Sequence, residues 1–127
     1  MAQPINVTLN GSVSAAPASS SSISPSLSDT IMIGFSRTYA YRVAVSESVN
    51  APSVAATIQL GSITKVRTIV MRVIGASLTV QLTSPAGADQ AFKTGDLFVW
   101  HSPNEGDQFT AVKLLGVADV EMLILGD

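Results

Sequence analysis

Apolar and polar positions alternate along most of this chain with a period of two. The alternation is cleanest where Leu78, Val80 and Leu82 are separated by Thr79 and Gln81 and flanked by Ser77 and Thr83. Side chains leave a strand on opposite faces in turn, so this run predicts a strand with one buried face. Just before it, beyond Gly75-Ala76, come Ile69, Val70, Met71, Val73 and Ile74, apolar on both faces. Such a run predicts a central, doubly covered strand. Arg67 and Arg72 interrupt it, one toward each face.

The rest of the chain follows the same period. Ile5, Val7, Leu9 and Val13 predict a strand that pairs or lies across a neighbour. Ser14 to Ser28, SAAPASSSSISPSLS, has too little apolar surface to order itself and predicts a linker or flexible arm. It is either a free terminus or an arm that crosses to a partner. Ile31, Ile33 and Phe35, then Tyr39, Tyr41, Val43 and Val45, predict two strands of a hairpin broken at Arg37-Thr38, although no Asn-Gly turn joins them. Ser46 to Ser53, SESVNAPS, reads as a loop. Val54, Ala56, Ile58 and Leu60 predict a strand closed by Gly61-Ser62. Ser84 to Gln90 and Lys93 to Asp96 read as turns around a short strand at Ala91-Phe92. Leu97 to Trp100 is a further strand and His101 to Asp107 a polar loop. Phe109 to Leu115 and Ala118 to Leu125 are the last two strands, joined by Gly116-Val117.

No segment has a helical period. About eight or nine short antiparallel strands predict an all-β chain, a jelly-roll-like β-sandwich, with an N-terminal strand and arm over residues 1–28 and the sandwich domain over 29–127.

Composition sharpens this picture. The chain has 127 residues, enough for one domain, with 46% hydrophobic and only 13% charged residues. Its mean hydropathy is +0.39. A strand-rich chain this apolar predicts a surface partly covered by other subunits, with a homotrimer as the leading expectation. No window approaches the roughly 18 to 20 apolar residues of a membrane helix, so no membrane partner is expected. A net charge of −2 with seven scattered basic residues gives no footprint for nucleic acid. The absence of cysteine excludes disulfides and thiolate metal sites. MAQPINVTLNG shows no readable secretory signal. The glycosylation patterns at Asn6-Val7-Thr8 and Asn10-Gly11-Ser12 are accordingly read as chance matches.

Candidate chemistry is sparse. His101 is the only histidine, which excludes a paired-histidine metal site. Placed at the start of a loop, it reads as a solvated residue rather than a general base. Asp96, Glu105 and Asp107 offer oxygen ligands for calcium, but their spacing departs from the Asp-x-Asp-x-Asp-Gly pattern. No phosphate-binding glycine loop occurs. Trp100, Phe98 and Tyr41 form either a sugar-stacking platform or core aromatics, the latter being the commoner outcome inside apolar strands. Arg67 and Arg72 pair with Glu47 or Asp119, or face a partner subunit; the sequence leaves this open. No catalytic, cofactor-binding or metal residue is assigned, and neither enzymatic activity nor a cofactor is expected.

From about Leu60 to Asp127 the chain resembles a recurrent type of small virion protein encoded among the structural genes of tailed bacteriophages. The resemblance rests on Leu60-Gly61-Ser62-Ile63, the strand Leu78-Thr79-Val80-Gln81-Leu82, Gly95-Asp96-Leu97-Phe98-Val99-Trp100 and Phe109-Thr110-Ala111-Val112-Lys113-Leu114, with the closing run Ala118 to Asp127. These motifs are alternation plus glycine turns and carry no invariant chemistry. The first 28 residues lie outside the match. The resemblance implies a β-sandwich that assembles symmetrically on the virus particle, inside the host cytoplasm. Its implied role is a capsid decoration (cement) protein that binds the major capsid protein. The alternatives are a tail or fibre-associated component, or a small carbohydrate-binding β-sandwich module.

Overall fold

The computed structural model describes residues 4–14 and 30–127, apart from 103 and 105. They fall into two compact units, one within Asn6–Thr38 and one made of Tyr39–Asp127 with Pro4 and Ile5. In the first unit, β1 (Ile5–Ser14) and β2 (Thr30–Tyr39) form a two-stranded sheet. Polar side chains link the two strands: Thr38 Oγ1 donates to Asn6 Oδ1 at 2.7 Å and Thr8 Oγ1 to Ser36 Oγ at 3.2 Å. The expected arm beyond Ser14 and the expected domain boundary at 28/29 lie outside the described residues.

The second unit is a curled antiparallel sheet of β3 (Tyr41–Thr57), β4 (Val66–Ile74), β5 (Leu78–Thr83), β6 (Asp89–Thr94), β7 (Leu97–His101) and β8 (Ala111–Gly126). β4 pairs with β7 and β5 with β6. The segments β4–β5 and β6–β7 are therefore the two arms of one long hairpin with its tip at residues 84–88. β8 runs beside the first arm, pairing with β5 through Ala111–Leu115 and with β4 through Asp119–Gly126. β3 runs along the other edge of β8.

All four tracks are interrupted at one level. Residues 75–77 break β4 from β5, and Gly95-Asp96 break β6 from β7. β8 passes through Gly116 at φ +132°, and β3 shifts register between Ala51 and Ala56 opposite Gly116 and Leu114. Bulges and glycines are where strands bend from one layer to another. Here they line up, so the sheet folds over its own inner face. One half contributes Leu78, Val80, Leu82, Val112 and Leu114 to that face, and the other Ile69, Met71, Val73, Val120, Met122 and Ile124. All belong to one core, where each fully buried side chain stabilises the fold by about 1.5–3 kcal/mol.

The all-β architecture is as the sequence predicts, and no helix occurs among the described residues. A jelly-roll connection is not clearly present. Three local readings change. The expected hairpin of residues 31–35 with 39–45 does not form: a single residue, Ala40, separates β2 from β3, too little to reverse the chain, and β3 pairs with β8 instead. The expected loop Ser46–Ser53 is strand within β3. Its polar residues Ser46, Ser48 and Asn50 occupy the outer face while Val49 and Ala51 are buried on the inner one. Pro52 falls inside the register shift, where no ladder N–H is required. Finally, the two C-terminal strands are one, because Gly116 bends β8 without ending it.

Candidate functional site

His101 closes β7 and is half-buried rather than a solvated loop residue. Register places it opposite Thr68 on β4. Its Nδ1 lies 2.7 Å from Thr68 Oγ1 and 3.2 Å from the Tyr39 hydroxyl, and those two hydroxyls are 2.6 Å apart. Thr68 and Tyr39 are both buried. Each hydroxyl both donates and accepts, so the three groups satisfy one another in a place where an unpaired hydroxyl would cost about 1–3 kcal/mol. The nucleophilic oxygen nearest the imidazole, Thr68 Oγ1, is sealed from solvent. The sequence signal for this cluster was weak, since register brings together only Thr68 and His101, and Tyr39 comes from a strand that pairs with neither.

Arg67 is the extra residue of a bulge between the pairs Val66–Gly126 and Thr68–Leu125. Its side chain is buried; Nη1 donates to the Asn104 carbonyl at 2.8 Å, and Nε lies 3.6 Å from Asp127 Oδ2. Among the described residues Asp127, rather than Glu47 or Asp119, is thus its acidic neighbour. Asp119 instead accepts a hydrogen bond from Ser48 Oγ. Arg67 ties the loop after β7 to the end of β8, and buried ions persist only with partners of this kind.

A polar cleft of about 430 Å³ opens beside that loop, lined by Trp100, His101, Ser102, Asp107, Gln108 and Gln90 among others. Ser102 Oγ donates to Asp107 Oδ2 at 3.2 Å. Asp96 lies in the β6–β7 turn, where its carbonyl accepts the Val73 N–H at 2.7 Å. Glu105 lies outside the described residues. No group of three potential metal-ligating side chains occurs among the described residues. The three aromatics singled out from sequence do not gather. Trp100 and Phe98 are on β7 and Tyr41 is on β3, at opposite edges of a β3-β8-β4-β7 half-sheet, about 14 Å apart at ~4.8 Å per strand. Trp100 packs on Phe109 with ring centroids 4.7 Å apart, and Phe98 on Phe92 at 5.8 Å. Both β7 aromatics pack against the core.

A second exposed feature is the outer face of the same half-sheet. Side chains in register across it form rows: Ala44, Leu123, Val70 and Val99 in one, Ser46, Glu121, Arg72 and Leu97 in the next. Leu97 is 65% exposed and Val117 55%, and Ile74 and Val99 are exposed with them. An apolar groove of about 370 Å³ lies over Val70, Leu97 and Leu123. The double covering expected for Val66–Ile74 is therefore half present: its inner face is buried, while Arg72 and Ile74 on its outer face are open to solvent. Arg72 and Glu121 stand opposite each other without an ion pair. Apolar residues on both faces of β4 and β7 are the sequence signal for this surface, to which β8 adds Leu123 and Val117 on either side of Asp119 and Glu121.

Comparison of the chain with known protein families, with characterised proteins and with solved structures finds no match in any of the three.

Proposed function

We propose that this protein is a structural component of a tailed-phage virion, a head decoration protein that binds the capsid, associates with itself and bridges neighbouring capsid subunits. The observation that carries this reading is the outer face of the β3-β8-β4-β7 half-sheet. Four of its large apolar side chains, Ile74, Leu97, Val99 and Val117, are exposed, interspersed with Arg72, Asp119 and Glu121. Apolar side chains exposed around an apolar groove mark a protein–protein contact. The candidate chemical groups support a non-enzymatic role: the hydroxyl beside His101 is buried, and Ser102 is bonded to Asp107. The assignment to a virion rests on the resemblance across residues 60–127. Decoration proteins act through contacts summed over many copies, so a modest free energy at each position suffices.

Separating purified virions into heads and tails and identifying this chain by mass spectrometry tests the assignment. Recovery with heads is the expected result. Recovery with tails alone, or absence from the particle, overturns it.

A further inference from the structure

The geometry points to the partner of the outer face: a second copy of this chain, packed face to face about a two-fold axis that runs along the strands between β8 and β4. This rests on the reading that the protein works through protein–protein contacts, and it names one of them.

The argument is the pattern of the two rows. A two-fold axis in that position lays β8 over the partner's β4 and β3 over its β7. Leu123 then meets Val70 of the other copy, and Ala44 meets Val99. In the adjacent row, Glu121 meets Arg72 and Arg72 meets Glu121. Every contact is made twice, as an isologous interface requires. The apolar row closes on apolar residues, and Glu121 and Arg72 find each other in the next row, where Leu97 covers Ser46. One row further, Ile74 lies over Asp119. Within one copy the two charges stand opposite without an ion pair, so each is available across the interface. The register of β3, β8, β4 and β7 generates the match of the apolar row and of the Glu121–Arg72 pair.

Size sets the strength. The patch is four strands wide and about six residues long, roughly 20 Å at ~3.4 Å per residue. Covering it buries on the order of 1,000 Å² over both copies, near the lower limit for a specific interface. The dimer is therefore weak and reversible in free solution and gains from neighbouring contacts on a particle. A three-fold contact, as composition suggested, would have to use another surface.

Sedimentation equilibrium of the full chain provides the test, using wild type, Arg72→Glu, Glu121→Arg and an equimolar mixture of the two variants. Arg72→Glu presents two carboxylates in the row and Glu121→Arg two cations. Each alone opposes like charges across the axis and associates at least about tenfold more weakly than wild type. Mixed, the two are complementary at both positions and form a heterodimer with wild-type strength. Because each variant also puts like charges on neighbouring strands of one copy, Leu97→Ser serves as a second probe. It weakens association without moving the unfolding midpoint of a dilute sample. A wild type that stays monomeric, single variants that associate normally, or a mixture that stays monomeric overturns the inference. So does Leu97→Ser abolishing head binding while leaving self-association intact, since the face would then belong to the capsid. A monomeric wild type that still binds heads removes the dimer and leaves the decoration role standing.

Discussion

Gly116 lies against Leu78 at the bend of the sheet. A Cβ at Gly116 would stand 2.7 Å from Leu78 Cδ2 and 3.3 Å from the Ser77 carbonyl oxygen, and its φ of +132° is one that L side chains rarely adopt. Gly116→Ala therefore combines backbone strain with overpacking and is expected to destabilise the fold by about 3 kcal/mol. Gly75 is the control. Its φ is +90°, but nothing lies within 4 Å of its missing Cβ, so Gly75→Ala should cost only the conformational term, about 1–2 kcal/mol. Urea unfolding with an unchanged m-value measures both. Equal costs at the two positions would mean that the close approach to Leu78 is unimportant.

The cluster of Tyr39, Thr68 and His101 predicts a graded response. Thr68→Val removes the group that bonds both neighbours and should cost about 2 kcal/mol. Tyr39→Phe leaves the Thr68–His101 bond in place and should cost about 1 kcal/mol. The double variant should cost less than the sum, because the two changes share a hydrogen bond. Additive costs in thermal or urea unfolding would contradict the shared bond.

Asp89 supplies a pH dependence. A hydrogen bond from Thr83 Oγ1, helped by Lys113, lowers its pKa from the ordinary 3.8. A carboxylate depressed in the folded state adds stability above its unfolded pKa and loses it as pH falls through the folded value. Wild type should therefore exceed Asp89→Asn in stability at neutral pH, with the advantage disappearing on acidification below 3.8. Added salt should weaken the Lys113 part more than the Thr83 part. An advantage that persists at low pH would contradict this assignment.

The polar cleft gives a functional prediction. Trp100 is packed on Phe109 and the core, so Trp100→Ala should cost about 2–3 kcal/mol of stability, less than for a fully buried tryptophan. No specific sugar should be retained on a glycan array, and a hydrolase panel should show no turnover. Specific glycan binding lost with Trp100 would replace the structural reading with the carbohydrate-binding one.

The strands were legible wherever one face is apolar and the other polar. Leu78–Thr83 appears as predicted because period two leaves no other way to bury Leu78, Val80 and Leu82. Residues 46–53 were missed because serine and asparagine at alternate outer positions look like a loop when the inner positions hold only Val49 and Ala51. The join at Gly116 was missed because a glycine that ends a strand and one that bends it read alike. Pairing lay further out of reach: Thr68 meets His101, and Glu121 meets Arg72, only through register between distant segments, and Tyr39 reaches the first pair from a strand paired with neither. The apolar outer face was visible as excess hydrophobicity, but not its location.

The proposed role of this chain is to stabilise a capsid by bridging its subunits. The direct measurement is the temperature at which DNA-filled heads rupture, taken on heads lacking the protein before and after it is added back. Saturable binding and a rise in rupture temperature that follows occupancy are the expected results. Binding that leaves the rupture temperature unchanged, or no binding to heads, would contradict it.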